Sequence, residues 1–146
     1  DGRGRRDLAM SESEEQPSPF ELLGGLEPVR ALAKAFYDAM ERTEPELTAV
    51  HRQAEGQPGR VHPEARERFE LFLIGWLGGP QEYIARHGHP RLRMRHAHVP
   101  VNIALRDAWL RAMKIALDER GVSGELRAFL DERFAQVADF MRNQGE

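Results

Sequence analysis

The chain has 146 residues and a net charge of −3, so we expect one domain built around one hydrophobic core. Hydrophobic residues make up 40% and charged residues 31%. The sequence contains neither the basic stripe of a nucleic-acid-binding protein nor the apolar run of roughly 20 residues that a membrane span needs, so we expect neither kind of partner. The absence of cysteine excludes disulfides, thiolate metal sites and cysteine nucleophiles. Because the sequence also shows no apolar secretory signal, we expect a cytoplasmic protein.

The first 18 residues are polar and rich in helix breakers, which predicts a disordered tail before a single domain over residues 19–146. Such a segment cannot bury enough apolar surface to offset the entropy of ordering. Met10, followed by a run of Ser and Glu, is typical of a natural start. We therefore interpret residues 1–9 as added sequence or upstream read-through of the reading frame.

The first two predicted helices are marked by strong start and stop signals. Residues 18–21 (SPFE) form a capping box with proline at the first helical position, and the glycine pair 24–25 ends this short helix. Pro28 is expected to open the second helix. Its apolar residues recur at steps of three and four and form one face: Val29, Leu32, Ala33, Phe36, Tyr37 and Met40.

The middle of the chain alternates between breakers and one further amphipathic helix. Pro45 begins a short turn or helix that runs to His51, and the Gly- and Pro-rich residues 55–63 are predicted to form a loop. Pro63 opens a helix that residues 78–80 (GGP) end sharply. Its apolar stripe consists of Ala65, Phe69, Phe72, Leu73 and Trp76.

The last part of the sequence predicts two short helices followed by two long ones. Residues 81–86 and 91–96 are each expected to form a turn or so of helix. Asn102 caps a long helix over 103–120, and Ser123 caps the final one. Their inward residues are Trp109, Met113, Ala116 and Leu117, and then Leu126, Leu130, Phe134, Val137 and Met141. Because no segment alternates with a period of two, the predicted fold class is all-α.

Histidine is the residue type most suggestive of chemistry. Four of the six histidines lie at positions 87, 89, 96 and 98, and a His-rich tract without cysteine favours metal or haem over hydrolysis. A zinc site made only of histidines is conceivable, although His96 and His98 would point about 200 degrees apart on a helix. From composition alone, His87, His89 and His98 are surface or turn residues, and a haem-free helical interaction or metal-binding protein stays open.

Several stretches together resemble the truncated haemoglobins of the second group. They are residues 88–96 (GHPRLRMRH), 76–80 (WLGGP) with Tyr83, and 106–113 (RDAWLRAM). The glycine pair 24–25 and the aromatic pair 36–37 also match that family. The resemblance covers roughly residues 20–141 and implies a shortened globin fold, in which two antiparallel helix pairs sandwich haem b (iron protoporphyrin IX).

The resemblance also implies roles around the iron. His96 matches the proximal histidine, whose second ring nitrogen would donate to a backbone carbonyl, and His98 is the competing candidate. Tyr37 and Trp109 match distal donors toward a small ligand, although packing in the core is the plain alternative for both. His51 aligns with a third distal position, and Ala65 stands where other globins carry a histidine.

The remaining carried-over positions form the walls and mouth of the pocket. Phe69 would close the pocket one turn after Ala65, and Arg95 and Tyr83 are candidates for binding the haem propionates. The other apolar walls are Phe36, Phe72, Leu73, Leu92, Met94 and Met113.

This site favours reversible binding of O2, NO or CO, with slow O2 release because several donors surround one small ligand. The alternative function is an NO dioxygenase or a peroxidase that uses the same haem. Since the sequence has no flavin or nicotinamide module, either enzyme would need an external reductase. We expect a monomer or a homodimer.

Overall fold

The computed structural model describes residues 16–89 and 101–142 of the chain. This part is mostly helical, which confirms the all-α class. The elements are α1 (Pro19–Leu23), α2 (Leu26–Thr43), α3 (Pro45–Ala49), β1 (Gln53–Ala54), β2 (Gln57–Val61), α4 (Pro63–Trp76), α5 (Glu82–His87), α6 (Ile103–Glu119) and α7 (Gly124–Met141). The helical piece predicted for 91–96 and most of the predicted tail lie outside the described residues.

Helix α1 is short, capped as predicted and fixed against the end of α4. The Glu21 amide donates to Ser18 Oγ at 3.2 Å, and the Phe20 amide donates to the Leu77 carbonyl oxygen at 2.9 Å. A Cβ atom on Gly79 would lie 2.6 Å from the Phe20 ring, so only glycine permits this close approach. Ser18 is the N-cap of this helix, as the capping box in the sequence predicted.

Helix α2 begins two residues earlier than its proline predicted. Gly25 is its N-cap with a φ of 94°, a conformation that favours glycine, and Leu26 is the first helical residue. Pro28 then lies in the first turn, where backbone N–H groups have no acceptor within the helix, so the missing N–H of proline costs no hydrogen bond. The predicted face is confirmed, since all six of its apolar residues are buried.

The core is formed where α2 packs against α6, with α4 and α7 outside them. Phe36 and Met40 of α2 are 1% and 0% exposed, and they face a helix that presents Ala112 and Ala116. Small residues let the two backbones approach closely, while each large buried side chain contributes about 2 kcal/mol. The pairs α2–α4 and α6–α7 form the two layers of a two-over-two helical sandwich.

The expectation of a plain loop over residues 55–63 is wrong, because residues 53–61 form a small antiparallel hairpin. Gln53 pairs with Val61 and Ala54 with Gln57. The Gln53 side chain accepts the Gly59 amide at 2.8 Å and donates to the His51 carbonyl oxygen at 2.7 Å. The hairpin escapes a period-two search because four of the five β2 residues are exposed.

The remaining helices lie close to their predicted limits. The Leu105 amide donates to Asn102 Oδ1 at 2.9 Å, which confirms the predicted cap of α6. Ser123 occupies the N-cap position of α7. Across the described ranges, no helix is both long enough and apolar enough to cross a membrane.

Candidate functional site

A cavity of about 440 Å³ lies between α2, α4, α6 and α7, which is a typical size for a ligand pocket. Its surface is predominantly apolar, with hydrogen-bond donors and arginines among the lining residues. The lining residues are Tyr37, Leu47, Val50, His51, Arg52, Ala65, Arg68, Phe69, Phe72, Leu73, Trp76, Tyr83, Val101, Leu105, Arg106, Trp109, Phe134, Val137, Ala138 and Met141.

Helix α4 provides the longest wall of this cavity. Leu71 and Ile74 are buried, whereas Phe69, Phe72 and Trp76 line the cavity and are only partly buried. The Phe72 and Trp76 rings are stacked with centroids 6.5 Å apart. Aromatic contacts of this kind hold large flat surfaces in place, which suits a flat apolar ligand.

Tyr37 is placed on the cavity surface by helix α2. The residue is 4% exposed, and its ring meets those of Phe69 and His51 edge-on, with centroids 5.5 Å and 5.9 Å away. No hydrogen bond between described residues involves its hydroxyl. Burial raises the pKa of the Tyr37 phenol, although the charge of Arg66 acts in the opposite direction. The phenol therefore remains protonated and is available as a donor.

Trp109 reaches the same cavity from α6. Its ring lies between those of Phe36 and Phe134, at centroid distances of 5.1 Å and 5.8 Å. The indole N–H can only donate. Tyr37 and Trp109 thus bring two donors from different helices to one predominantly apolar cavity.

His51 lies beside Tyr37 with one ring nitrogen already engaged. Its Nδ1 is 2.8 Å from the carbonyl oxygen of Leu47, and because a carbonyl only accepts, Nδ1 carries the proton. In the neutral ring Nε2 is therefore an acceptor. His51 donates through Nε2 only when the ring is doubly protonated, which distinguishes it from Tyr37 and Trp109.

Three arginines line the cavity, and the sequence analysis identified none of them. Arg52 pairs with Glu64 at 3.1 Å and Arg106 with Asp139 at 2.8 Å. Arg68 makes no ion pair with another described residue. Its position three residues after Ala65, on the same face of α4, is the signal that could have revealed it.

Two predicted wall residues lie one layer deeper than expected. Phe36 and Met113 are each 1% exposed and belong to the core, and neither is part of the cavity surface formed by the described residues. Phe36 precedes Tyr37 by one residue, which is about 100 degrees of helix rotation, and its ring points into the core while that of Tyr37 faces the cavity. Phe36 instead supports Phe69, with ring centroids 5.1 Å apart.

The other sequence-predicted residues divide into those on the cavity and those outside the described chain. Ala65, Leu73 and Tyr83 line the cavity, and Tyr83 also packs against the His87 ring with centroids 5.1 Å apart. Leu92, Met94, Arg95, His96 and His98 lie outside the described residues. Within residues 16–89 and 101–142, no group of three or more histidine, aspartate or glutamate side chains could hold a metal ion.

This chemistry fits haem. The apolar aromatic walls match a porphyrin, the arginines match its carboxylates, and the two inner donors match a small polar ligand beside it. Among the described histidines, His51 is the one that lines the cavity, and its Nδ1 is already bonded to the protein. The described residues thus supply apolar walls, donors and guanidinium groups that suit such a group.

Comparisons with known proteins agree with this geometry. The family model of the bacterial-like globins matches residues 18–143. The group 2 truncated hemoglobin YjbI of Bacillus subtilis (strain 168) is 37% identical over 129 residues, which cover 88% of this chain and 91% of that protein.

Solved structures give the same result. The group II truncated haemoglobin of Bacillus anthracis matches with a TM-score of 0.79 and 33% identity, covering 90% of this chain and 100% of that one. The truncated oxygen-avid haemoglobin of B. subtilis matches with a TM-score of 0.75 and 35% identity, covering 87% and 100%. The chain belongs to the bacterial-like globin family and, within it, to the group II truncated haemoglobins.

Proposed function

We propose that the protein holds haem b in this cavity, with His96 as the protein ligand of the iron, and binds O2 or another diatomic gas beside Tyr37 and Trp109. The haem iron supplies the reversible bond to the gas. The observation that carries the proposal is the pair of donors, from α2 and α6, on the surface of one predominantly apolar cavity.

The chain's own residues would then determine how long the gas stays. The Tyr37 hydroxyl and the Trp109 indole each donate to the bound ligand, and each good bond contributes roughly 1 kcal/mol. Ala65 adds no hydrogen bond and leaves room for entry. Slow O2 release follows, which is consistent with the similarity to a B. subtilis protein described as oxygen-avid.

The arginines would fix the haem in one orientation. A guanidinium matches a carboxylate with two parallel hydrogen bonds, so Arg68, which has no ion pair in the described part of the chain, is a strong partner for a propionate. Arg95 and Tyr83, which are carried over from the family resemblance, remain proposed partners of the propionates. Arg68→Gln should therefore speed haem loss more than Arg127→Gln, a control that removes ion pairs distant from the cavity.

The first test is absorption spectroscopy of the purified protein after addition of haem. Wild type should give a Soret band and distinct ferric, ferrous and oxygen spectra. His96→Gly should change these spectra strongly, whereas His98→Ala should leave them unaltered. The absence of a Soret band in wild type would refute the haem site, and the reverse order of the two histidine variants would refute the assigned ligand.

A second function, reduction of peroxide with an external reductant, is favoured by the state of His51. Because Nδ1 donates to the Leu47 carbonyl, Nε2 of the neutral ring can accept a proton from peroxide near Tyr37. His51→Ala should then lower peroxide turnover with a one-electron donor dye by about 100-fold. Conversion of NO to nitrate, the other enzymatic alternative, is tested by mixing the oxygen form with NO and following repeated turnover with a reductase.

A further inference from the structure

A group of charged side chains lies directly against Tyr37. Arg66 of α4 pairs with Glu41 at 2.9 Å and with Asp38 at 3.1 Å, both on α2. We call these three residues the Arg66 clamp. The guanidinium carbon of Arg66 also lies over the Tyr37 ring, 5.3 Å from its centroid.

We propose that Arg66 is a positioning residue for Tyr37, fixing its ring and strengthening its hydroxyl as a donor toward the small ligand in the cavity. This proposal rests on the proposed function, since Tyr37 must face a bound gas for the effect to matter. It extends that function to a residue that does not line the cavity.

The clamp holds Arg66 more firmly than a surface ion pair would. The Glu41 side chain is 7% exposed, and its Oε2 also accepts the Val61 amide at 2.8 Å. Arg60 binds the other oxygen of Glu41 at 3.2 Å. Because one buried carboxylate receives donors from the hairpin and from α4, the guanidinium has little freedom to leave the Tyr37 ring.

A cation over an aromatic face is attracted to the ring and also draws electron density from it. For a phenol, the second effect makes the hydroxyl a better donor. The electrostatics act in the same direction as this effect, since the charge of Arg66 lowers the pKa of Tyr37. Burial raises that pKa and is the stronger of the two effects. Arg66 therefore has a chemical effect on Tyr37 in addition to any effect on stability.

The closing experiment is a double-mutant cycle on O2 dissociation, measured by stopped flow on the haem-loaded protein. In the presence of Tyr37, Arg66→Met should raise the dissociation rate about two- to fivefold, less than loss of the hydroxyl itself. In a Tyr37→Phe background the same change should have almost no effect, because no hydroxyl remains to be strengthened. Arg60→Met is the matched control, since Arg60 also binds Glu41 but makes no contact with Tyr37 among the described residues.

A second readout needs no haem. The chain has two tyrosines, so 3-fluorotyrosine gives two fluorine resonances, assigned by Tyr37→Phe. Arg66→Met should shift the Tyr37 resonance and leave that of Tyr83 in place. Arg66→Lys keeps the charge and should restore much of the wild-type behaviour, which also keeps the test valid if the Met variant folds poorly.

The outcomes separate this proposal from the proposed function. Normal haem spectra with equal rate increases from Arg66→Met in both backgrounds would overturn the role of Arg66 alone. An unmoved Tyr37 resonance in both Arg66 variants would do the same. A wild-type protein that takes up no haem would overturn both proposals.

Discussion

The two sides of helix α2 are held in place by different kinds of interaction. Toward α6 the helix presents Phe36 and its apolar neighbours, whose burial is favourable but nondirectional. Toward the hairpin and α4 it presents Asp38 and Glu41, whose hydrogen bonds require defined distances and angles. The apolar side accordingly supplies most of the stability, whereas the charged side determines where Tyr37 lies.

The largest expected effect is on the apolar side. Phe36→Ala should lower the free energy of unfolding by about 4 kcal/mol, because a ring that is 1% exposed is replaced by a void. Urea unfolding followed by circular dichroism measures it. Phe140→Ala is the control, since its ring is 55% exposed and its removal should cost less than about 0.5 kcal/mol. Similar losses in both variants would contradict the core assignment.

The charged side should show a smaller loss of stability. Glu41→Ala removes a nearly buried partner of Arg66, and we expect a cost of about 2 kcal/mol, below that of a fully buried pair. Glu27→Ala, which breaks an exposed pair with Arg30, should cost less than about 0.5 kcal/mol in the same urea assay. If Glu41→Ala lowered the free energy of unfolding no more than this control, the charged side would not hold α2 and α4 together in the way we infer.

The next effect concerns ligand release rather than folding. Tyr37→Phe should raise the O2 dissociation rate about five- to tenfold, the equivalent of one lost hydrogen bond. Trp109→Phe should act in the same direction. Phe129→Leu is the control, because its ring is 46% exposed and does not line the cavity. A dissociation rate that does not respond to either Tyr37 or Trp109 would refute the donor pair.

The smallest expected effect is on the pH dependence of stability. Burial by itself would raise the pKa of Glu41, but hydrogen bonds from Arg66 and the Val61 amide, together with the charge of Arg66, hold the pKa below its ordinary value. A lowered folded-state pKa gives stability that is present above the unfolded pKa and is lost as pH falls through the folded one.

Urea midpoints measured from pH 7 down to pH 3 should therefore fall less steeply for Glu41→Gln than for wild type. Phe36→Ala should keep the wild-type slope, because it changes no titrating group. Parallel slopes for wild type and Glu41→Gln would show that the charged side does not contribute to acid unfolding.

The helices were predictable because each is marked by local signals. A capping box, glycine pairs and prolines fixed the limits of α1, α4 and α6 to within about a residue, and apolar periodicity identified the buried face of α2. The first residue of α2 was misplaced by two residues, since Gly25 caps the helix ahead of Pro28, and the predicted limits of α3 and α5 differ from the observed ones by one or two residues. These features depend on neighbours in the sequence, which is why one sequence suffices to find them.

The hairpin and the Arg66 clamp were not predictable for the opposite reason. The strands face solvent, so no alternation of apolar residues marks them, and they are tied to the rest of the molecule by Glu41 from another element. Arg66 and Arg68 look like ordinary solvated charges on α4. Their surroundings come from residues far along the chain, which no local pattern records.

The location of the two tryptophans has a practical consequence. The chain has only Trp76 and Trp109, and both line the same cavity. Every ultraviolet-excited emission from indole in this protein therefore originates at the cavity wall, within energy-transfer range of any coloured molecule bound there. Quenching of the intrinsic fluorescence would report filling and emptying of the cavity directly, with no label and no background from distant indoles.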